Sequence, residues 1–138
     1  MKAYFNLAAS IATAVSLHAA TAQAPSSPGW LGVWQGQLDG QPSVTLTLAD
    51  DGGTLGGTLV LDLIEKQGDG SSRVVAIDPH VLMRTEANEH TLSFEVIRRD
   101  RSEPPIRFSV VLDGSDKAHI HCLNCGPDAP FAEIVRQR

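Results

Sequence analysis

The segment His119–Cys125 reads His-Ile-His-Cys-Leu-Asn-Cys and combines two imidazoles with a C-x-x-C pair. Neutral imidazole and thiolate are good ligands for Zn²⁺ or copper. Two residues apart on a strand, His119 and His121 would share one face. All four side chains could reach one ion if the chain turned after Cys122. The spacing therefore predicts a candidate Zn or Cu site made of His119, His121, Cys122 and Cys125.

A disulfide between Cys122 and Cys125 is the simpler interpretation of the same segment. These are the only two cysteines of the chain, and an oxidising compartment pairs such cysteines. On a continuing strand Cys122 would also point away from His121, which disfavours a four-ligand site. A thioredoxin-like role is disfavoured because that motif opens a helix in an α/β fold. We expect a structural disulfide and no cofactor, with the metal site and free or redox-active thiols as alternatives.

A second charged segment, Arg98-Arg99-Asp100-Arg101, precedes Ser102-Glu103-Pro104-Pro105. It could contact an anionic ligand, a polysaccharide or a membrane headgroup. Asp100 and Glu103 dilute its positive charge, so a solvated hairpin loop is the expected structure. The chain has no G-x-S-x-G motif and no other catalytic constellation, which predicts that the protein is not an enzyme.

The first 22 residues have the pattern of a cleaved signal peptide. Lys2 supplies the positive start, an apolar stretch follows to about Ala20, and Ala20-Thr21-Ala22 fits cleavage before Gln23. Residues 23–29 then form a short flexible leader. No second hydrophobic span follows, so we expect an exported protein, periplasmic or extracellular, without an integral membrane span.

Residues 30–138 show period-two alternation almost throughout. Val44, Leu46 and Leu48 alternate with polar residues, the turn signal Asp50-Asp51-Gly52-Gly53 follows, and residues 54–63 alternate again. The same pattern recurs over 91–97 and 106–112, and no segment shows a helical repeat. The sequence therefore predicts one all-β domain, an antiparallel up-and-down barrel of about seven or eight short strands.

The start of this domain resembles that of a known superfamily. It reads Gly32-Val33-Trp34-Gln35-Gly36-Gln37-Leu38, and the second hairpin strand follows as Asp51-Gly52-Gly53-Thr54-Leu55-Gly56-Gly57-Thr58-Leu59. These residues resemble the first strands of calycin-type barrels, the lipocalins and avidins. They also resemble a family of uncharacterised bacterial exported proteins that begin G-x-W-x-G-x-L and end in a V-R-x-[RK] tail, like Glu133–Arg138.

The resemblance implies a structural pair, because calycins pack an Arg near the last strand over the early Trp. Arg136 over Trp34 would be that pair here, and a guanidinium on an indole face is a favourable cation–π contact. Biotin binding is not implied, because avidin sites are walled by several tryptophans and this chain has two, Trp30 and Trp34.

Charge and fold together narrow the function classes. The 138 residues include 11 basic and 16 acidic side chains, and the resulting formal charge of −5 argues against nucleic acid as a partner. We expect a binding module for a small apolar or amphipathic ligand. The alternatives are an envelope protein–protein interaction or inhibitor module with a filled barrel, and a metal-handling protein. A cavity above about 300 Å³ would favour the ligand binder. The sequence identifies neither the ligand-binding residues nor the oligomeric state.

Overall fold

A computed structural model describes residues 29–127, 129 and 131–138 of the chain. The described residues contain nine strands and no helix, which confirms the all-β prediction, and the count exceeds the expected seven or eight. The predicted signal peptide, 1–22, and the leader up to residue 28 lie outside the described residues. The strands are β1 Gly32–Leu38, β2 Gln41–Asp51, β3 Thr54–Lys66, β4 Ser72–Val81, β5 Met83–Ala87, β6 Thr91–Val96, β7 Ile106–Leu112, β8 Lys117–Cys122 and β9 Phe131–Arg136.

The nine strands form one antiparallel sheet in the order β4-β3-β2-β1-β9-β8-β7-β6-β5. Every neighbour along the chain is a neighbour in the sheet except β4 and β5, and the first strand pairs with the last. Such up-and-down connectivity needs only short hairpin loops. The sheet curls into a half-barrel whose two edges are β4 and β5.

The two edges of the sheet meet at Leu82 and do not pair along their length. Leu82 is the single residue between β4 and β5, and its backbone N–H donates to the carbonyl of Gly57 on β3, at 3.0 Å. Residues 58–66 of β3 pair with β4, whereas β5 contacts β3 as well as pairing with β6. The sequence predicted a fully closed barrel. In the structure β4 and β5 do not pair, and the two edges approach each other only at Leu82.

The core fills one end of the half-barrel, the end at which β1 begins, here called the closed end. Trp30 and Trp34 are 1% and 0% exposed, and no buried polar or charged residue lies among the described ones. Inward-facing residues of the surrounding strands complete the core, as expected when alternate side chains of a strand face the same side. They are Leu46, Leu48, Leu59, Leu92, Phe94, Val96, Val110, Ala118 and Ile134, while Val44, Phe108, Ile120 and Cys122 continue the core towards the opposite end.

Gly36 lies where β1 crosses closest to β9. A Cβ at this position would come within 2.8 Å of the Glu133 carbonyl oxygen and 2.8 Å of Val44 Cγ1. The register of β1 on β2 also shifts between Gly36 and Gln37, which leaves Ser43 without a partner as a β-bulge. A bulge bends the strand that carries it and increases its twist. The direction of β1 beyond Gly36 therefore depends on a residue with no side chain.

Gly36→Ala should destabilise the protein by roughly 1–3 kcal/mol, because a backbone carbonyl would have to move to admit the methyl group. Urea unfolding followed by tryptophan fluorescence measures this change. Gly56→Ala is the matched control on β3, because a methyl group at that position would have no heavy atom within 4 Å outside its own chain neighbours. Equal stabilities of the two variants would contradict the close crossing of β1 and β9.

Candidate ligand cleft at the open end

The closed end is sealed by contacts between the first and last strands. The Arg136 guanidinium carbon lies 4.3 Å from the centroid of the Trp34 ring, the pair that the resemblance implies. Arg136 also donates to the carbonyls of Gly29 and Leu31. Trp34 Nε1 donates to the Trp30 carbonyl at 2.9 Å, and Trp30 Nε1 to that of Asn88 at 2.7 Å. Both indole N–H groups are thus satisfied, and the two rings that fill this end are almost completely buried.

The His119–Cys125 segment does not gather its four candidate ligands around one point. Cys122 faces inward and is buried, whereas His119 and His121 lie on the outer face of β8. Cys122 and Cys125 form a disulfide with their Cα atoms 5.7 Å apart, so neither sulfur is a thiolate. The His119 ring stacks on Phe131 at 4.9 Å. In the part of the chain that the structure describes, no group of three or more His, Cys, Asp or Glu residues could hold a metal ion.

The disulfide loop instead anchors the start of β7 through Asn124. Its Oδ1 accepts from the backbone N–H of Arg107 at 2.8 Å, and its Nδ2 donates to the carbonyl of Pro105 at 2.9 Å. Asn124 is not among the residues predicted from the sequence to matter. The sequence could have indicated this role only through the residue type, because an Asn side chain between two cysteines can both donate to and accept from the backbone.

The opposite end of the half-barrel, at which β1 ends, holds a cleft of about 870 Å³. We call it the open end. The cleft is lined by inward-facing apolar side chains at the ends of six strands and by the disulfide. These residues are Leu38, Val44, Leu61, Ile106, Phe108, Ile120, Cys122, Cys125 and Ala132.

The cleft opens because β1 and β9 separate. Only two residue pairs join these strands, Trp34 with Arg136 and Gln35 with Val135. Beyond the bulge at Ser43, β1 no longer follows β9, and the cleft lies between the end of one strand and the start of the other. Leu38 and Phe131 border it and remain 54% and 63% exposed. Large apolar side chains are thus left uncovered where the core ends.

The polar groups of the cleft are nearly all uncharged. Gln35, Gln37 and Gln137 contribute amides, and Glu133 contributes a carboxylate that lies 3.2 Å from Lys117 Nζ. Gln35, Gln37 and Glu133 alternate with inward-facing residues of β1 and β9, so they border the cleft from the outer face of the sheet. The described residues that line the cleft include no Lys, Arg or His. A few amides around an apolar surface suit a ligand that is apolar or amphipathic and carries no negative charge, because no cation is present to offset the desolvation of an anion.

Asp78 links the edge strand β4 to the loop between β6 and β7. Its Oδ1 accepts from Arg99 Nη2 at 2.9 Å, and its Oδ2 lies 3.0 Å from His80 Nε2. The hydrogen bond from Arg99 is the main cause that holds the pKa of Asp78 below its ordinary value of 3.8, with a smaller contribution from His80. The ion pair joins two segments that are not hydrogen-bonded in the sheet.

Comparison of the chain with protein-family models, with curated proteins and with solved structures gave no match. Among the described residues, none belongs to a helix of the length and apolarity needed to cross a bilayer. The site is therefore interpreted from its own geometry.

Asp78→Asn should lower the free energy of unfolding at pH 7 by up to about 1 kcal/mol, the range for a solvent-screened ion pair. A carboxylate whose pKa is lowered by folding stabilises the fold above pH 3.8 and loses that contribution as the pH falls through its folded-state pKa. The difference from the parent protein should thus shrink as the pH falls below 3.8. Urea unfolding between pH 7 and pH 3 tests this, with Asp62→Asn on neighbouring β3 as the control. A difference that is independent of pH would contradict the role of the ion pair.

Proposed function

We propose that this protein is a non-catalytic binding module that holds a small apolar or amphipathic molecule in the cleft at its open end. The observation that carries the proposal is the cleft itself, whose volume of about 870 Å³ lies within the range of about 300–1,000 Å³ typical of small-molecule sites. This volume supports the ligand-binding alternative over a filled barrel that acts only through its surface. The lining supports a ligand without negative charge.

The cleft is positioned on strands whose relative arrangement is secured at the closed end and at the disulfide loop. The Trp34–Arg136 contact ties β1 to β9, and Asn124 ties the disulfide loop to β7. A site held by such contacts is largely preformed, which lowers the entropic cost of binding.

The metal-handling alternative requires a different state of the protein. His119 and His121 lie on the outer face, and the two sulfurs are bonded to each other. Reduction would be needed before Cys122 or Cys125 could bind Zn²⁺ or copper, since the thiolate is the ligand. The disulfide therefore favours a structural role for this segment.

Binding in the cleft is tested with the neutral fluorescent probe N-phenyl-1-naphthylamine. The parent protein should bind it with saturable enhancement of emission. Ala132→Trp, which places an indole in the cleft, should weaken binding at least about tenfold, because the probe and the side chain would compete for one volume. Thermal melting confirms that the variant folds, and Ile106→Gln provides a second change of the lining.

Val111→Gln is the control, because Val111 is 47% exposed on the outer face of β7 and lies outside the cleft. It should leave the affinity unchanged. Binding that is equal in the parent, Ala132→Trp and Val111→Gln would place the probe elsewhere and contradict the proposal. Absence of binding to the folded parent would do the same.

We also propose that the protein is exported and acts in an oxidising compartment, periplasmic or extracellular. The disulfide supports this, because disulfides persist mainly outside the cytosol. Expression of the full chain in a bacterium should yield an exported product that begins at Gln23 and resists thiol alkylation until it is reduced. Intact-mass measurement tests both features. A product that retains residues 1–22 and free thiols would contradict export.

A further inference from the structure

A second cleft, of about 370 Å³, lies between the edge strand β4 and the loop that joins β6 to β7. It shares no lining residue with the cleft at the open end. One wall comes from the end of β4 and the start of β5, and the other from the start of the loop. The lining residues are Asp78, Pro79, His80, Val81, Met83, Ile97, Arg98, Arg99 and Arg101.

The lining carries three arginines against one aspartate, in a chain whose formal charge is −5. Asp100 and Glu103 of the same loop offset part of this charge, so attraction of an anion depends on which guanidinium groups lack a carboxylate partner. Arg98 Nε donates to the carbonyl of Pro104 at 3.0 Å and lies 3.3 Å from Glu103 Oε2. Arg99 is held by Asp78. Arg101 has no ion-pair partner among the described residues, so its guanidinium is free to bind a ligand.

The same cleft exposes apolar surface beside the arginines. Val81, Met83 and Ile97 are 70%, 43% and 45% exposed. His80 lies beneath, with its side chain only 10% exposed and Nε2 on Asp78. Arg99 is thereby fixed by a carboxylate that is itself held in place by the imidazole of His80. Exposed apolar residues that adjoin a cationic group are the combination that binds an amphiphile with a negatively charged head.

We propose that this second cleft binds an anionic amphiphile, with an oxyanion on the guanidinium groups of Arg101 and Arg99 and the apolar group against Met83 and Ile97. A guanidinium presents paired N–H donors that match the oxygens of phosphate or carboxylate. This site goes beyond the function proposed for the open end. The two clefts differ in charge, since the described lining of the first has no cationic residue and three residues that line the second are arginines.

The test uses hexyl phosphate, hexanol and inorganic phosphate in calorimetric titrations at fixed ionic strength. Because the first cleft is proposed to accept uncharged amphiphiles, the three ligands are compared in the Ala132→Trp variant, in which that cleft is filled. In this variant hexyl phosphate should bind more tightly than hexanol or inorganic phosphate, since only hexyl phosphate engages both parts of the site. Arg101→Gln should weaken hexyl phosphate binding about tenfold, the loss expected for one charge-assisted contact. Arg101→Lys should retain part of the affinity. Hexanol binding as tight as that of hexyl phosphate would overturn the proposal.

Two controls separate this site from general charge and from the open end. Arg138→Gln removes the same charge at a side chain that is 90% exposed near the closed end, and it should not alter binding. Ala132→Trp fills the first cleft and should also leave hexyl phosphate binding unchanged. If Ala132→Trp abolishes that binding and Arg101→Gln does not, the amphiphile occupies the first cleft and the present proposal fails.

A bilayer could present the same chemistry as a free amphiphile. Sedimentation with vesicles of phosphatidylcholine alone, and of phosphatidylcholine with phosphatidylglycerol, distinguishes the two sources. Arg101-dependent binding to the anionic vesicles supports a lipid headgroup as the source, whereas Arg101-dependent binding of soluble hexyl phosphate without vesicle binding supports a free ligand. Binding to neither overturns the site.

Discussion

The pairing of the first strand with the last is the constraint on which the rest of the structure depends. It comprises two residue pairs, and its effects differ on its two sides. Towards the start of β1, the Arg136 guanidinium covers Trp34 and donates to the carbonyls that precede β1, so the end is sealed. Towards the end of β1, Gly36 and the bulge opposite it direct the strand away from β9. A half-barrel closed at one end and open at the other is the result.

The sheet stops short of a full barrel because its two edge strands, β4 and β5, do not pair with each other. The edges meet at Leu82, and farther along only the Asp78–Arg99 ion pair spans from β4 to the loop after β6 among the described residues. β4 carries Pro79, which has no N–H to offer to a further strand. Proline and charge on an edge strand discourage pairing with other chains. The second cleft occupies this incomplete boundary, and for that reason its arginines remain accessible.

Much of this architecture could be predicted from period-two alternation, because side-chain facing in a strand depends on local geometry alone. The pattern at Val44, Leu46 and Leu48 predicted β2, and the same rule placed His121 and Cys122 on opposite faces of β8. The clefts could not be predicted in this way. The first depends on where β1 leaves β9, and the second on contact between Asp78 and Arg99, which lie 21 residues apart in the chain. Both are consequences of tertiary pairing.

The most direct test of ligand binding at the open end is a methyl NMR titration of the folded protein with N-phenyl-1-naphthylamine. We expect shifts for the methyl groups of Leu61, Ile106 and Ile120, which line the open end, and none for Leu92 or Ile134 in the closed core. Shifts confined to the closed end, or spread evenly over the molecule, would contradict the claim that the separation of β1 from β9 creates the binding site.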